Sequence, residues 1–135
     1  MNIDLTQLIN VEDKAAQVQE KRRAGVNGER DRRLADGATV TIAGYGDVPV
    51  QGRTGDQINL IAVADTAREL IAAGYTTVAI PFRDGDNVVH GLTPSQVLEM
   101  ARKGKEAAAA IYSASWALKD AEAVPAEFAD DIHWP

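Results

Sequence analysis

Cysteine is absent, which removes disulfides, thiolate catalysis and Cys-based zinc sites in one step. Aromatic residues are scarce: two Phe, two Trp and three Tyr stand beside many alanines, so any core is mainly aliphatic. No apolar run approaches the ~18 residues of a membrane span. Met1-Asn2-Ile3-Asp4 has neither the basic start nor the apolar stretch of a secretory leader. Positive charge is in deficit too. Fourteen Lys and Arg against 20 Asp and Glu give a formal net charge of −6, with a pI near 4.8. That balance disfavours sequence-independent binding to nucleic acid or to an anionic membrane. What remains is a 135-residue chain, 45% hydrophobic, long enough for one domain and its core. It reads as soluble, acidic and non-secreted.

Charge is distributed unevenly. Residues 12–36 hold seven basic and six acidic side chains, the pattern of an exposed helix face. Residues 119–135 set Lys119 against Asp120, Glu122, Glu127, Asp130 and Asp131, a net charge of −4. The expected organisation is an N-terminal arm over 1–10, a single α+β domain over 11–121 and an acidic C-terminal tail over 122–135.

Three helices are expected. The first spans Val11 to Ala35, with a break or kink where Gly25 and Gly28 each cost about 1 kcal/mol relative to Ala. The second starts at Thr54: Thr54-Gly55-Asp56-Gln57 fits a capping box in which the Thr54 hydroxyl caps the helix and Gln57 reaches back. Leu60, Val63, Ala64, Ala67, Leu70 and Ile71 form its apolar stripe, and Gly74 supplies the left-handed stop. The third starts at Thr93-Pro94-Ser95-Gln96, a capping box with Pro at the first helical position, and runs to about Ala121. At ~1.5 Å per residue that helix is about 43 Å long, which predicts an elongated protein.

Two hairpins are expected between the helices. Val40–Ala43 and Val48–Val50 flank Gly44-Tyr45-Gly46-Asp47, and Thr77–Phe82 and Val88–His90 flank Asp84-Gly85-Asp86-Asn87. Pro49 and Pro81 push their strands toward an edge or a bulge. The order α-ββ-α-ββ-α is that of an α+β domain, two antiparallel hairpins packed with three helices.

The motifs of common chemistries are incomplete. Gly44-Tyr45-Gly46 lacks the third glycine of a dinucleotide fingerprint and runs on into a strand. Asp84-Gly85-Asp86 lacks the later ligands of a calcium loop, with Val88 and Ser95 at the positions that need oxygen donors. His90 and His133 have no second ligand at metal spacing; His90 is expected to close a strand and His133 to lie in a solvated tail. No nucleophile elbow surrounds Ser95, Ser113 or Ser115. The reading is therefore no enzyme, no metal, no cofactor and no small-molecule substrate.

The helix starts carry a family resemblance. Thr54-Gly55-Asp56-Gln57-Ile58-Asn59-Leu60 resembles the Thr-then-Asp-Gln-x-Asn-Leu signature of an uncharacterised domain family. That family occurs in tail, tail-fibre and tail-fibre-assembly proteins of bacteriophages and prophages. Leu92-Thr93-Pro94-Ser95-Gln96-Val97 resembles its second block, Phe82–Asn87 its aromatic strand and turn, and Leu118-Lys119-Asp120 the close of its final helix. The similarity covers roughly residues 11–121. It implies a virion or tail-assembly protein, made in the bacterial host cytoplasm, whose partners are other tail proteins or itself.

Physics assigns the signature a structural task. Thr54, Asp56, Gln57, Asn59, Thr93 and Gln96 are expected to cap helices and tie down the loops before them. Val97, Ala101, Gly104, Ala108, Ile111, Ser115 and Leu118 follow a 4-3-4-3-4-3 spacing, a seam expected to pack on the first helix or the sheet. Tyr112 and Trp116, with Phe128, Ile132 and Trp134 of the tail, are the candidate interface. The alternative from another class is a DNA-binding module using helix 93–121, with Arg102, Lys103 and Lys105 near its start.

Overall fold

In the computed structural model, which describes residues 5–135, the order is α1 (Leu5–Asp36), β1 (Ala38–Ile42), β2 (Gly46–Val50), α2 (Thr54–Ala72), β3 (Ile80–Arg83), β4 (Val89–Leu92), α3 (Pro94–Asp120) and a 3-10 turn at Asp131–His133. This is the expected α-ββ-α-ββ-α arrangement. Each hairpin is its own two-stranded antiparallel sheet. The chain divides into two compact units. A terminal unit contains α1 as far as Arg30 together with Tyr112–Pro135, and a central unit is Asp31–Ile111.

In the central unit the strands alternate as a half-buried sheet must. Val40 and Ile42 of β1 and Val48 and Val50 of β2 face inward, while Thr39, Thr41 and Asp47 face out. Both prolines fit the ladder for one reason. Pro49 lies opposite Thr39 and Pro81 opposite Gly91, register sites where a backbone N–H would point away from the partner strand, so the missing donor breaks no bond. The two hairpins share one core with Leu60 of α2 and with Val97 and Met100 of α3. Fully burying such aliphatic side chains contributes about 1.5–3 kcal/mol each before entropy is counted.

The helix ends follow their sequence signals closely. Gly37, at φ +74°, turns the chain from α1 into β1, and a Cβ there would collide with the Val50 carbonyl. α2 stops as expected: Gly74 N–H donates to the Ile71 carbonyl and Tyr75 N–H to that of Leu70, a Schellman closure. The seam of α3 is buried except at Ala101, which is half-buried. In the central unit its Gly104 lies so near the sheet that a Cβ would stand 3.0 Å from Val50 Cγ1 and 3.1 Å from Leu60 Cδ1. Early in α3, the Glu99 carboxylate accepts the Ala43 N–H and pairs with Lys103, whose ammonium also donates to the Thr41 carbonyl.

Three details of the terminal unit bear on the sequence reading, and two of them, the unbroken α1 and the half-buried His133, correct it. First, α1 does not break: it starts at Leu5, so residues 5–10 are helical, and it continues through Gly25 and Gly28. Residues 1–4 of the expected arm lie outside the described residues. The Phe128 ring occupies the space a Cβ on Gly25 would need, so close packing offsets the helical cost of that glycine. Second, the C-terminal segment is anchored. Arg22 donates to the Val124 carbonyl at 3.0 Å, and the Val124 N–H donates to Gln19 Oε1 at 2.7 Å. Val124 is fully buried, and Trp134 is 7% exposed with its indole N–H donating to the Phe128 carbonyl. Third, His133 is half-buried, 4.0 Å from the Glu127 carboxylate, instead of solvated.

Candidate functional site

The two Thr-x-x-Gln blocks begin helices, but by different geometry. At α3 the capping box forms as read: the Thr93 hydroxyl accepts the Gln96 N–H at 3.3 Å, and Gln96 Oε1 accepts the Thr93 N–H at 3.0 Å. At α2 the frame is shifted by one residue. Arg53 is the N-cap and Thr54 the first helical residue. The carboxylate of Asp56 accepts the Arg53 N–H at 3.1 Å and its Nε–H at 2.8 Å. Gln57 reaches past Thr54 and donates to the Gly52 carbonyl at 2.7 Å. The Thr54–Gln57 box of the sequence reading is thus not formed: the charged Asp56 acceptor binds the N–H one residue earlier, and the cap is one-sided because the Arg53 guanidinium can only donate.

A second constellation joins the hairpins. Tyr45, from the β1–β2 turn, has its hydroxyl 2.7 Å from His90 Nδ1, and His90 Nε2 lies 2.6 Å from Asp84 Oδ2. The other Asp84 oxygen accepts the N–H groups of Asp86 and Val88 at 2.8 and 3.0 Å. The carboxylate favours a proton on Nε2, and in the neutral ring that leaves Nδ1 to accept from the Tyr45 hydroxyl. The His90 hydrogen bond, helped by the Val88 and Asp86 N–H groups and opposed by burial, holds the Asp84 carboxyl below the usual carboxylate range. Carboxylate, imidazole and hydroxyl stand in the order of a proton relay. The chain of contacts ties the turn of the first hairpin to β4 and the turn of the second, a clasp between the two hairpins. Sequence reasoning placed His90 only as a strand end. The available signal was its alternation with Leu92: a polar side chain at an inward strand position needs a buried partner.

Beside Asp84 lies a cleft of about 260 Å³, bounded by the end of β2 and the loop after it, the first turns of α2 and the β3–β4 turn. Asp56 and Asn59 of the signature block line it, whereas Thr54, Gln57, Thr93 and Gln96 do not. Gln51 spans its rim: its side chain covers Gly85 and accepts from the Arg53 guanidinium at 2.6 Å. Arg83 also lines the cleft; it lies within the Phe82–Asn87 block, but nothing in the sequence singled it out as a binding residue.

The candidate interface residues fall in the terminal unit and divide into two kinds. Tyr112 and Trp116 have ring centroids 6.1 Å apart, and the Arg30 guanidinium lies 5.5 Å from the Tyr112 ring. Trp116 is 54% and Ile132 86% exposed. Phe128 and Trp134 are engaged inside the unit. In α3, Arg102 pairs with Glu106 and Lys103 with Glu99. Among the described residues no three His, Asp or Glu side chains gather as a metal site requires, and no helix is long and apolar enough to cross a membrane.

No curated protein and no solved structure matches the chain. A family model does, over residues 17–133, which takes in both hairpins, α2, α3 and most of α1. The chain therefore belongs to the family described as Domain of unknown function (DUF4376).

Proposed function

We propose that this protein is a non-enzymatic component of a bacteriophage tail, or of its assembly, that works through protein–protein contacts. The observation that carries the reading is Trp116, a large aromatic more than half exposed on a helix whose other face is buried. Exposed aromatics held rigid by neighbours are the usual anchors of interfaces, and Tyr112 with Arg30 forms such a neighbourhood. Support also comes from the signature residues. Asp56, Gln57, Thr93 and Gln96 hold helix starts, so their pattern is accounted for by folding. The phage setting rests on the resemblance of the Asp56–Leu60 block and its companions to domains of tail proteins. Its site of action on this reading is the virion.

Two measurements test it. Mass spectrometry of purified particles from a host carrying the gene asks whether the protein is present beside tail proteins. Trp134→Phe leaves Trp116 as the sole indole, and its fluorescence is followed while neighbouring tail proteins are added. A blue shift with one of them is expected. An emission that no tail protein changes, in a monomer, would overturn the reading.

A further inference from the structure

The cleft beside Asp84 has an unbalanced set of hydrogen-bonding groups. Two guanidinium groups, Arg53 and Arg83, two carboxylates, Asp56 and Asp84, and three carboxamides, Gln51, Asn59 and Asn87, line it, with the Gln51 oxygen already accepting from Arg53. Both carboxylates are already engaged. Asp84, with a side chain 2% exposed, accepts from His90, Asp86 and Val88. Asp56 accepts the N–H and the guanidinium of Arg53. The side chains of Arg83, Asn59 and Asn87 make no hydrogen bond or ion pair among the described residues. Asp86, in the same turn, lies outside the lining. The charged acceptors are taken, whereas the charged donor of Arg83 and the Asn59 and Asn87 amides are left over. Arg83 alone offers five N–H groups and no acceptor.

From this balance we infer that the cleft binds a compact oxyanion, a carboxylate or phosphate group, with the Arg83 fork as its main contact and the Asn59 and Asn87 amides beside it. A guanidinium meets either group with two parallel hydrogen bonds. Size narrows the class. The cleft of about 260 Å³ has room for roughly nine waters at ~30 Å³ each and falls short of the ~300 Å³ at which pockets for drug-sized ligands begin. A single anionic group on a short carbon skeleton fits. Phe82, Pro49 and Leu60 supply the apolar part of the wall. The inference rests on the cleft alone, so its failure leaves the contact role of Trp116 standing.

The test is a titration of ¹⁵N-labelled full-length protein at constant ionic strength. Inorganic phosphate, acetate, citrate and an N-acetylated Glu-Asp-Glu peptide are compared with sodium chloride. Saturable shifts are expected at the Asn59 and Asn87 side-chain amides and at the Gly85 N–H. Arg83→Gln should weaken the dissociation constant at least tenfold, and Arg83→Lys should lie between it and the parent. Arg83 is exposed at the end of β3, so neither change touches the core. Asn87→Gly, which suits the φ of +62° at that turn position, provides a second variant with the backbone kept. Saturation by phosphate, acetate or citrate identifies a free anion as the ligand; saturation by the peptide alone identifies the side chain of a partner protein. Shifts equal to those in chloride, a response that never saturates, or unchanged binding by Arg83→Gln would overturn the inference.

Discussion

α2 and α3 begin with the same four-residue pattern, Thr-x-x-Gln, and use it differently. At α3 the hydroxyl and the carboxamide bond the backbone reciprocally, one frame and no charge. At α2 the carboxylate of Asp56 binds one residue earlier, and the glutamine is released to hold Gly52. Two residues account for the difference. Pro94 has no N–H and a fixed φ, so it belongs at the first helical position and makes Thr93 the cap. Gly55 imposes no such frame, and Asp56 then decides it. The lesson is that a capping box is read from its competitors as well as its members.

The strongest way to stress this comparison is the place where carboxylate-to-N–H bonding is most buried. Asp84→Ala should cost more stability than any cap variant, because it strips partners from His90, Asp86 and Val88 together. Asp84→Asn keeps the turn and isolates the charge. The folded-state carboxyl lies below its ordinary value of 3.8, so its contribution is complete above about that pH and is lost as pH falls through the folded pKa. Acid denaturation curves should therefore be shallower for Asp84→Asn than for the parent below pH ~4; superimposable curves would remove the charge from the account.

Next in size is Thr93→Ala, which should cost about 1 kcal/mol, within the ~0.5–2 kcal/mol range for a lost N-cap, by urea midpoint. Asp56→Ala should cost slightly less, about 0.5–1 kcal/mol, since the pair it breaks is partly solvated. The smallest effect is the sharpest. Thr54→Ala should change stability by no more than a few tenths of a kcal/mol, and Thr54→Pro by less than about 0.5 kcal/mol, because proline suits a first helical position. A loss of 1 kcal/mol or more in either Thr54 variant would restore the frame in which Thr54 is the cap.

Much of the architecture was legible because local signals agreed. The Thr93-Pro94 start, the Gly74 stop and the first hairpin each placed an element where the structure has it, while the second hairpin starts at Ile80 instead of Thr77. The α1 break failed for a physical reason: glycine's helical cost is local, while its benefit, the seat for Phe128, comes from a residue about a hundred positions away. The clasp was hidden in the same manner. Tyr45 and His90 are 45 residues apart, and no periodicity connects them. The cleft was half legible. Asp56 and Asn59 stood out as signature residues, but Arg83 became notable only when the lining acceptors proved to be occupied.

The placement of Pro49 and Pro81 bears on how this protein behaves at high concentration. A two-stranded sheet leaves each strand with one open side, where a further strand from another molecule can add and seed aggregation. On β2 and on β3 that open side lacks a donor, at Pro49 and at Pro81. The open side of β1 is occupied at Thr41 by the Lys103 ammonium. Three of the four strands are thus poor templates for a neighbouring copy. Replacing Pro49 and Pro81 with valine should leave the monomer folded and raise its rate of concentration-dependent aggregation, as followed by light scattering.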